Sequence, residues 1–415
     1  MPDNYEQLIY GFIYLQKASL NGTIPEFSYV GIDWNLFIDL SIRNKCGVLF
    51  NNAISKNPQF YGIPNEILDR WNRRSKNEFM ISYKMYYEFV RVMKAIDKNN
   101  VRAIVLKGYA LAVLYTGIFQ RYSSDLDLKF ENQDREIVHS LLTGELEFVF
   151  DEANSKDNVS IYYSKWLKIE AHFTLWEDYQ GENTEVLKSE KLDDPTTLTK
   201  VKITDDLSIT TLGVTEHLIL QMFHIIKHYI VEGIESRYFC DIALFVNRYI
   251  DDIDFNRFYQ VFKKMNFEDF CLVYFSECIK YFDMDKRALQ GRNMKSPEDE
   301  LSFFRDIIFL GKRDLSDRAE YSLLGILSPY VNGGKITEDS KGKRALQALF
   351  PSAKNIDQKY SYCKKYPVLL PVAWGHRAIR TVFFKITKGG KVYGAKKKLQ
   401  ESEYRIQMMK NSKLI

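Results

Sequence analysis

Apolar residues recur at three- and four-residue spacing through "YEQLIYGFIYLQ" and "WNLFIDLSIRN", and predict amphipathic helices early in the chain. After the turn-rich "NPQFYGIPN", residues 66–97 keep that period and read as one long helix or two. Then the period changes. "VRAIVLKG" (101–108) is a short β-branched strand closed by Gly, and "YALAVLYTGI" behind it is helix-like. "SDLDLKFE" alternates, "QDREIVHSLL" is a short polar helix, and "ELEFVFDE", "VSIYYS" and "WLKIEAHFTLW" predict further strands. "LSITTLGVTEHLILQMFHIIKHYIV" opens with a strand and a turn, after which Thr215 is expected to cap a long helix. "SRYFCDIALFVNRYI" and "FNRFYQVFKKM" extend the helical pattern to about residue 285. Residues 286–360 mix helices with polar loops such as "LQGRNMKSPEDE" and "VNGGKITEDSKGKR".

This order predicts an α+β protein with four parts: an N-terminal helical domain (1–97), an α/β core with a mixed sheet (98–212), a larger C-terminal helical region (213–375) and a basic segment (376–415). A length of 415 residues is too great for one ordinary core. The net charge of +4 hides an asymmetry, because residues 376–415 hold 11 Lys or Arg against two Glu. Such a segment can contact phosphate or an anionic surface, but the plainer expectation is a solvated helix and tail. The five cysteines are odd in number with no CxxC pair, a reducing-compartment pattern without a disulfide framework or zinc ribbon. "MPDNYEQLIYGFIYLQKASLNG" lacks the basic start and apolar run of a signal peptide, and no run is long enough to cross a bilayer. A cytoplasmic protein is expected.

Candidate chemistry sits in the alternating stretches. Successive strand side chains point to opposite faces, so Leu126, Leu128 and Phe130 share one face while Asp125, Asp127 and Lys129 share the other. Two such carboxylates can share a hard cation such as Mg²⁺, whose remaining positions go to water and phosphate. A solvated strand face reads the same way. In "WLKIEAHFTLW" the polar face carries Lys168, Glu170, His172 and Thr174, which makes Glu170 a candidate third carboxylate on a neighbouring strand. Three carboxylates on adjacent strands suit two-metal phosphoryl transfer. Ahead of them, Lys107 and Gly108 form a strand–turn–helix junction, where Gly admits a close phosphate and Lys adds a charge.

The order "LKG", "RYSSDLDL", "IEAH" resembles the DNA polymerase β nucleotidyltransferase superfamily, and more narrowly a bacterial, uncharacterised nucleotidyltransferase family with an L-K-G turn. The superfamily usually has Gly-Ser or Gly-Gly at that turn, whereas this chain has Lys107-Gly108-Tyr109. The likeness covers about residues 80–380, and its motifs occupy 104–172. It implies a polymerase-β-like mixed sheet and transfer of NMP from an NTP to an acceptor hydroxyl, with release of pyrophosphate. Two Mg²⁺ ions, or Mn²⁺ in their place, would be held by Asp125, Asp127 and Glu170. Lys107, Gly108 and Arg121 would meet the triphosphate, and Ser123 and Ser124 would bond a phosphate or shape the turn. His172 would lie near the acceptor, and Arg237 would reach a phosphate across the cleft. The acceptor itself, whether small molecule, peptide or tRNA, leaves no motif.

Other features have plainer readings. His224 and His228 share a helix face, but without the metalloprotease Glu or a third ligand they are expected to hydrogen-bond or line the cleft rather than bind zinc. Arg237 and Asp241 have the spacing of an intrahelical ion pair. "AWGHRAIR" supplies His376, Arg377 and Arg380 beside Trp374, a single patch too small to favour a nucleic-acid primer. Two other functions share the same fold: a catalytically silent nucleotide-binding or interaction module, and a toxin-like enzyme acting on tRNA or protein.

Overall fold

Residues 66–97 lie within one helix rather than two, and that helix ties together two separate hydrophobic cores. The computed structural model describes residues 5–176, 182–311 and 395–415, with 350, 352–353, 356, 360 and 362–377 between them. Short helices α1 (Tyr5–Asn21), α2 (Trp34–Arg43), α3 (Gly47–Lys56) and α4 (Pro58–Tyr61) precede the long α5 (Asn65–Lys98). The first half of α5 places Trp71 among Phe12, Phe37 and Phe50 of the helical core. Its second half lays Phe89, Val92 and Ile96 against the sheet.

The sheet is mixed, which makes the protein α+β. Strands β1 (Ala103–Val105), β2 (Asp125–Phe130), β3 (Val149–Phe150), β4 (Val159–Tyr163) and β5 (Lys168–His172) stand in the order β1-β2-β5-β4-β3. β2 pairs antiparallel with β1 and parallel with β5, so the last strand made is inserted beside the second. Helices α6 (Tyr109–Ala112) and α7 (Arg135–Ser140) fill the connections. "YALAVLYTGI" therefore gives a single helical turn, shorter than its pattern predicts. "ELEFVFDE" gives only a two-residue strand, because Glu147 takes φ +58° and breaks the extended backbone.

Beyond α8 (Glu182–Ser189), a hairpin of β6 (Thr199–Lys202) and β7 (Ser208–Thr211) leans on the sheet, where the Thr211 hydroxyl donates to Val105 O at 2.7 Å. α9 (Val214–Val231), α10 (Arg237–Arg248), α11 (Phe255–Lys264) and α12 (Glu268–Phe282) complete the helical body. α9 is capped at Gly213, where a Cβ would come within 2.7 Å of Thr197 O, and not at Thr215. Thr215 instead accepts from the Asp254 amide at 2.9 Å. All five cysteines are free and buried, and no described helix is long and apolar enough to cross a membrane.

α13 (Glu300–Arg305) is followed by a residue pair that changes the expectation for the chain's end. Asp306 and Arg405 form a buried ion pair, and the Arg405 guanidinium also donates to Tyr229 O at 3.1 Å. Past α14 (Tyr362–Lys365), the helix α15 (Ala395–Asn411) thus docks on α9, with Met408, Met409 and Leu414 in the same core as α1 and α2. Residues 403–415 are packed rather than solvated, because their apolar positions outweigh the charge tally. Arg380 and "VNGGKITEDSKGKR" lie outside the described residues.

One buried group in α12 carries a testable consequence. Glu277 is 1% exposed, and its Oε2 has no hydrogen-bond partner among the described residues. Burial, helped by Glu300, pushes its carboxyl up to about 8. The folded state then binds this proton more tightly than the unfolded chain does. Stability is full below the ordinary carboxyl range and is lost as pH rises toward 8. Glu277→Gln is expected to leave Tm nearly unchanged at pH 5 and to stabilise by about 2–4 kcal/mol above pH 8. A difference in Tm that does not change with pH would rule this out.

Candidate active site

Pleating alone sorts the two central strands. Leu126, Leu128 and Phe130 of β2, with Ile169 and Ala171 of β5, are at most 1% exposed and face the sheet core. Their alternates face a cleft or its border. The parallel register sets Asp127 opposite Glu170 and Lys129 opposite His172. Ligand atoms of Asp127, Glu170 and His172 consequently lie within 4.8 Å of one another. His172 Nε2 is 3.2 Å from Asp127 Oδ1 and 3.8 Å from Glu170 Oε2. Lys129 turns away, and its ammonium reaches Phe130 O and Asp193.

Cations neutralise these carboxylates. Lys107 Nζ is 3.2 Å from Asp127 Oδ2, and Lys168 pairs with Glu170. Burial by itself would raise the Asp127 carboxyl, but Lys107 and His172 overcome it and hold Asp127 well below the usual carboxylate range. Asp125 moves the other way, raised first by burial and then by the charges of Asp127 and Glu170. It belongs to the same charge cluster but stands outside the tight group of three. Two carboxylates and an imidazole, with a third carboxylate beside them, form a donor set that suits a divalent cation such as Mg²⁺ or Mn²⁺.

The turn before the strands is built to hold a special backbone. Gly108 adopts φ +59°, ψ −111°, a conformation closed to L side chains. The helix behind it is one turn long, so the local charge comes from Lys107. Arg121 is buried and grips the turn: its Nη1 donates to Gly108 O at 3.1 Å and to Ser123 Oγ at 2.7 Å. Its Nε and Nη2 take both oxygens of Asp241 on α10 at 2.7 and 3.0 Å. Arg237 Nη1 shares Asp241 Oδ2 at 3.2 Å, the ion pair expected from the spacing.

Lys107, Gly108, Arg121, Ser123, Ser124, Asp125, Asp127, Glu170 and Arg237 line one polar cleft between the sheet and the helices. His172 reaches it through Asp127. His224 and His228 line it as well, and no described third ligand joins them in a metal group. His224 Nδ1 lies 3.5 Å from Lys107 Nζ. Lys45, Tyr122, Glu235 and Tyr238 also line the cleft, and no local pattern singled them out. Lys168 was legible as part of the polar face but not as the partner of Glu170.

A family model described as uncharacterised nucleotidyltransferase matches residues 31–283. The chain belongs to that nucleotidyltransferase family. No curated protein matches it. The matched stretch starts inside the N-terminal helices and contains every residue of the cleft, from Lys45 to Tyr238. The family's unit is thus larger than the α/β core.

Proposed function

We propose that the protein is an active, metal-dependent nucleotidyltransferase of the polymerase β superfamily, transferring NMP from an NTP to an acceptor hydroxyl. One observation carries this reading: the register of β2 on β5 gathers Asp127 and Glu170 beside Asp125, with Lys107 against them, at one cleft. Asp125, Asp127 and Glu170 would hold two Mg²⁺ ions, which supply charge neutralisation at the α-phosphate and on the leaving pyrophosphate when bound. Lys107, with the open backbone at Gly108, would receive the polyphosphate. Arg121 and Ser123 would hold that turn in shape, and Ser124 and Arg237 would border it. The acceptor oxygen attacks the α-phosphorus, the bond to the bridging oxygen breaks, and pyrophosphate leaves. The acceptor proton passes to a neighbouring carboxylate such as Glu170. His172 steadies Asp127. Positioning and charge stabilisation provide most of the rate in such a reaction.

The test is pyrophosphate release with each of the four NTPs and Mg²⁺, comparing wild type with Asp125→Asn/Asp127→Asn in the presence of candidate acceptors. Carboxylate-dependent release with one NTP supports the reading and fixes the donor. A second reading has its own observation: Lys107 and Lys168 already neutralise the carboxylates, and His172 is bonded to one of them, as a silent nucleotide-binding module would tolerate. Nucleotide binding that is unchanged in the double variant, without release, would favour that module.

A further inference from the structure

We infer that Lys45, from the N-terminal helices, is a phosphate-binding residue of the cleft, recognising the outer phosphates of the triphosphate. The inference rests on the nucleotidyltransferase reading and deepens it.

Lys45 is the α2–α3 turn's contribution to a cleft otherwise built from residues after 106. Its backbone is left-handed, φ +60°, where Gly or Asn would be cheaper. The turn is fixed on both sides. Asn44 is fully buried, and its side chain donates to Leu40 O and Ile308 O at 3.0 and 2.8 Å. It also accepts from the Ser236 amide at 2.8 Å. Ser236 is bonded in turn to Gln16 of α1, whose Nε2 donates to Ser236 O at 2.9 Å. A buried polar clamp of this kind costs desolvation unless fully satisfied. It joins Lys45 to the residue immediately before Arg237 and brings the two cations to one cleft.

The other cleft cations have carboxylate partners: Lys107 has Asp127, Arg121 has Asp241, and Arg237 has Asp241 and Glu235. Lys45 has no carboxylate ion pair among the described residues. Its ammonium lies over the Tyr122 ring, 4.8 Å from the centroid, with Glu78 as a more distant charge. An ammonium on a flexible stem, resting on an aromatic face, is free to meet a phosphate that enters. Nearby, Arg237 Nε is buried without a hydrogen-bond partner among the described residues, and Glu235 Oε2 meets the Arg237 guanidinium only at 3.8 Å, beyond hydrogen-bond distance, which leaves polar capacity at this end of the cleft.

The experiment is calorimetric binding of each Mg²⁺-NTP, the matching NMP, and Mg²⁺-tripolyphosphate to wild type, Lys45→Met, Lys45→Arg and Lys45→Gly. Lys45→Met should weaken NTP and tripolyphosphate about 10–100-fold and leave NMP unchanged, and Lys45→Arg should recover most of the loss. Lys45→Gly should weaken the same ligands while raising Tm by about 1–2 °C, because Gly relieves the left-handed backbone. A purely structural lysine would not lose affinity while the fold gains stability. Unchanged triphosphate affinity in Lys45→Met, or equal loss of NMP, overturns the inference. A wild type that binds none of the four NTPs overturns the nucleotidyltransferase reading itself, and Lys45 with it.

Discussion

Asp127→Asn is expected to remove nucleotidyl transfer by at least about a thousandfold, or roughly 4 kcal/mol of transition-state stabilisation. The substitution keeps the shape and removes the one charge that touches Lys107, His172 and the Glu170 cluster together. Two readouts separate chemistry from folding. Mn²⁺ affinity, followed by electron paramagnetic resonance, should fall with the carboxylate. The unfolding temperature should move by only a few degrees, since Asn still accepts a hydrogen bond from Lys107. Turnover within tenfold of wild type would remove Asp127 from the proposed metal site and sink the mechanism.

The largest stability effect is expected at Asp241, which no part of the chemistry needs directly. Its carboxylate is 1% exposed and satisfies two arginines, Arg121 and Arg237, as well as the Tyr115 hydroxyl at 2.8 Å. Burial would raise this carboxyl, but the two guanidinium groups keep it below the usual range. Its stabilising contribution is therefore complete above pH 4 and lost only as pH falls through the lowered folded value. Asp241→Asn leaves two buried guanidinium groups short of counter-charge and should cost about 3–5 kcal/mol at pH 7. Urea unfolding measures this directly, and a change below about 1 kcal/mol would show that the pair contributes little. Activity should fall as well at temperatures where the variant is folded. Arg121 carries the restraint on to Gly108 and Ser123, so loosening one end frees the Gly108 turn at the other.

The strands that carry the carboxylates were readable because alternation of apolar and polar residues is the pattern of a half-buried strand. The order of those strands was not readable. β5 follows β4 in the chain yet lies between β4 and β2, and only long-range pairing decides that. "YALAVLYTGI" has a helical pattern, but Tyr115 is drawn to Asp241, 126 residues away, and the helix stops after one turn. The cleft-facing role expected for His224 and His228 followed from their shared helix face, and both line it. Lys45 could not have been found that way. Its place depends on the bond between Asn44 and Ser236, 192 positions apart, and neither neighbourhood contains a motif. The basic end misled for a different reason: counting charges says nothing about which positions point inward, and Arg405 is wholly buried.

The docking of residues 403–415 has a consequence for how the polypeptide is made. The sheet core closes with segments drawn from 85–209, so it can condense while the ribosome is still extending the chain. The helical core cannot. α1 packs on α10, α12 and α13, so the earliest helices stay open until the chain has passed residue 305, and α9 keeps a bare face until Met408, Met409 and Leu414 arrive. During that interval the nascent chain shows chaperones an incomplete aromatic surface beside an already formed sheet. A stalled ribosome would therefore leave behind a protein with its carboxylates in register and its helical body open.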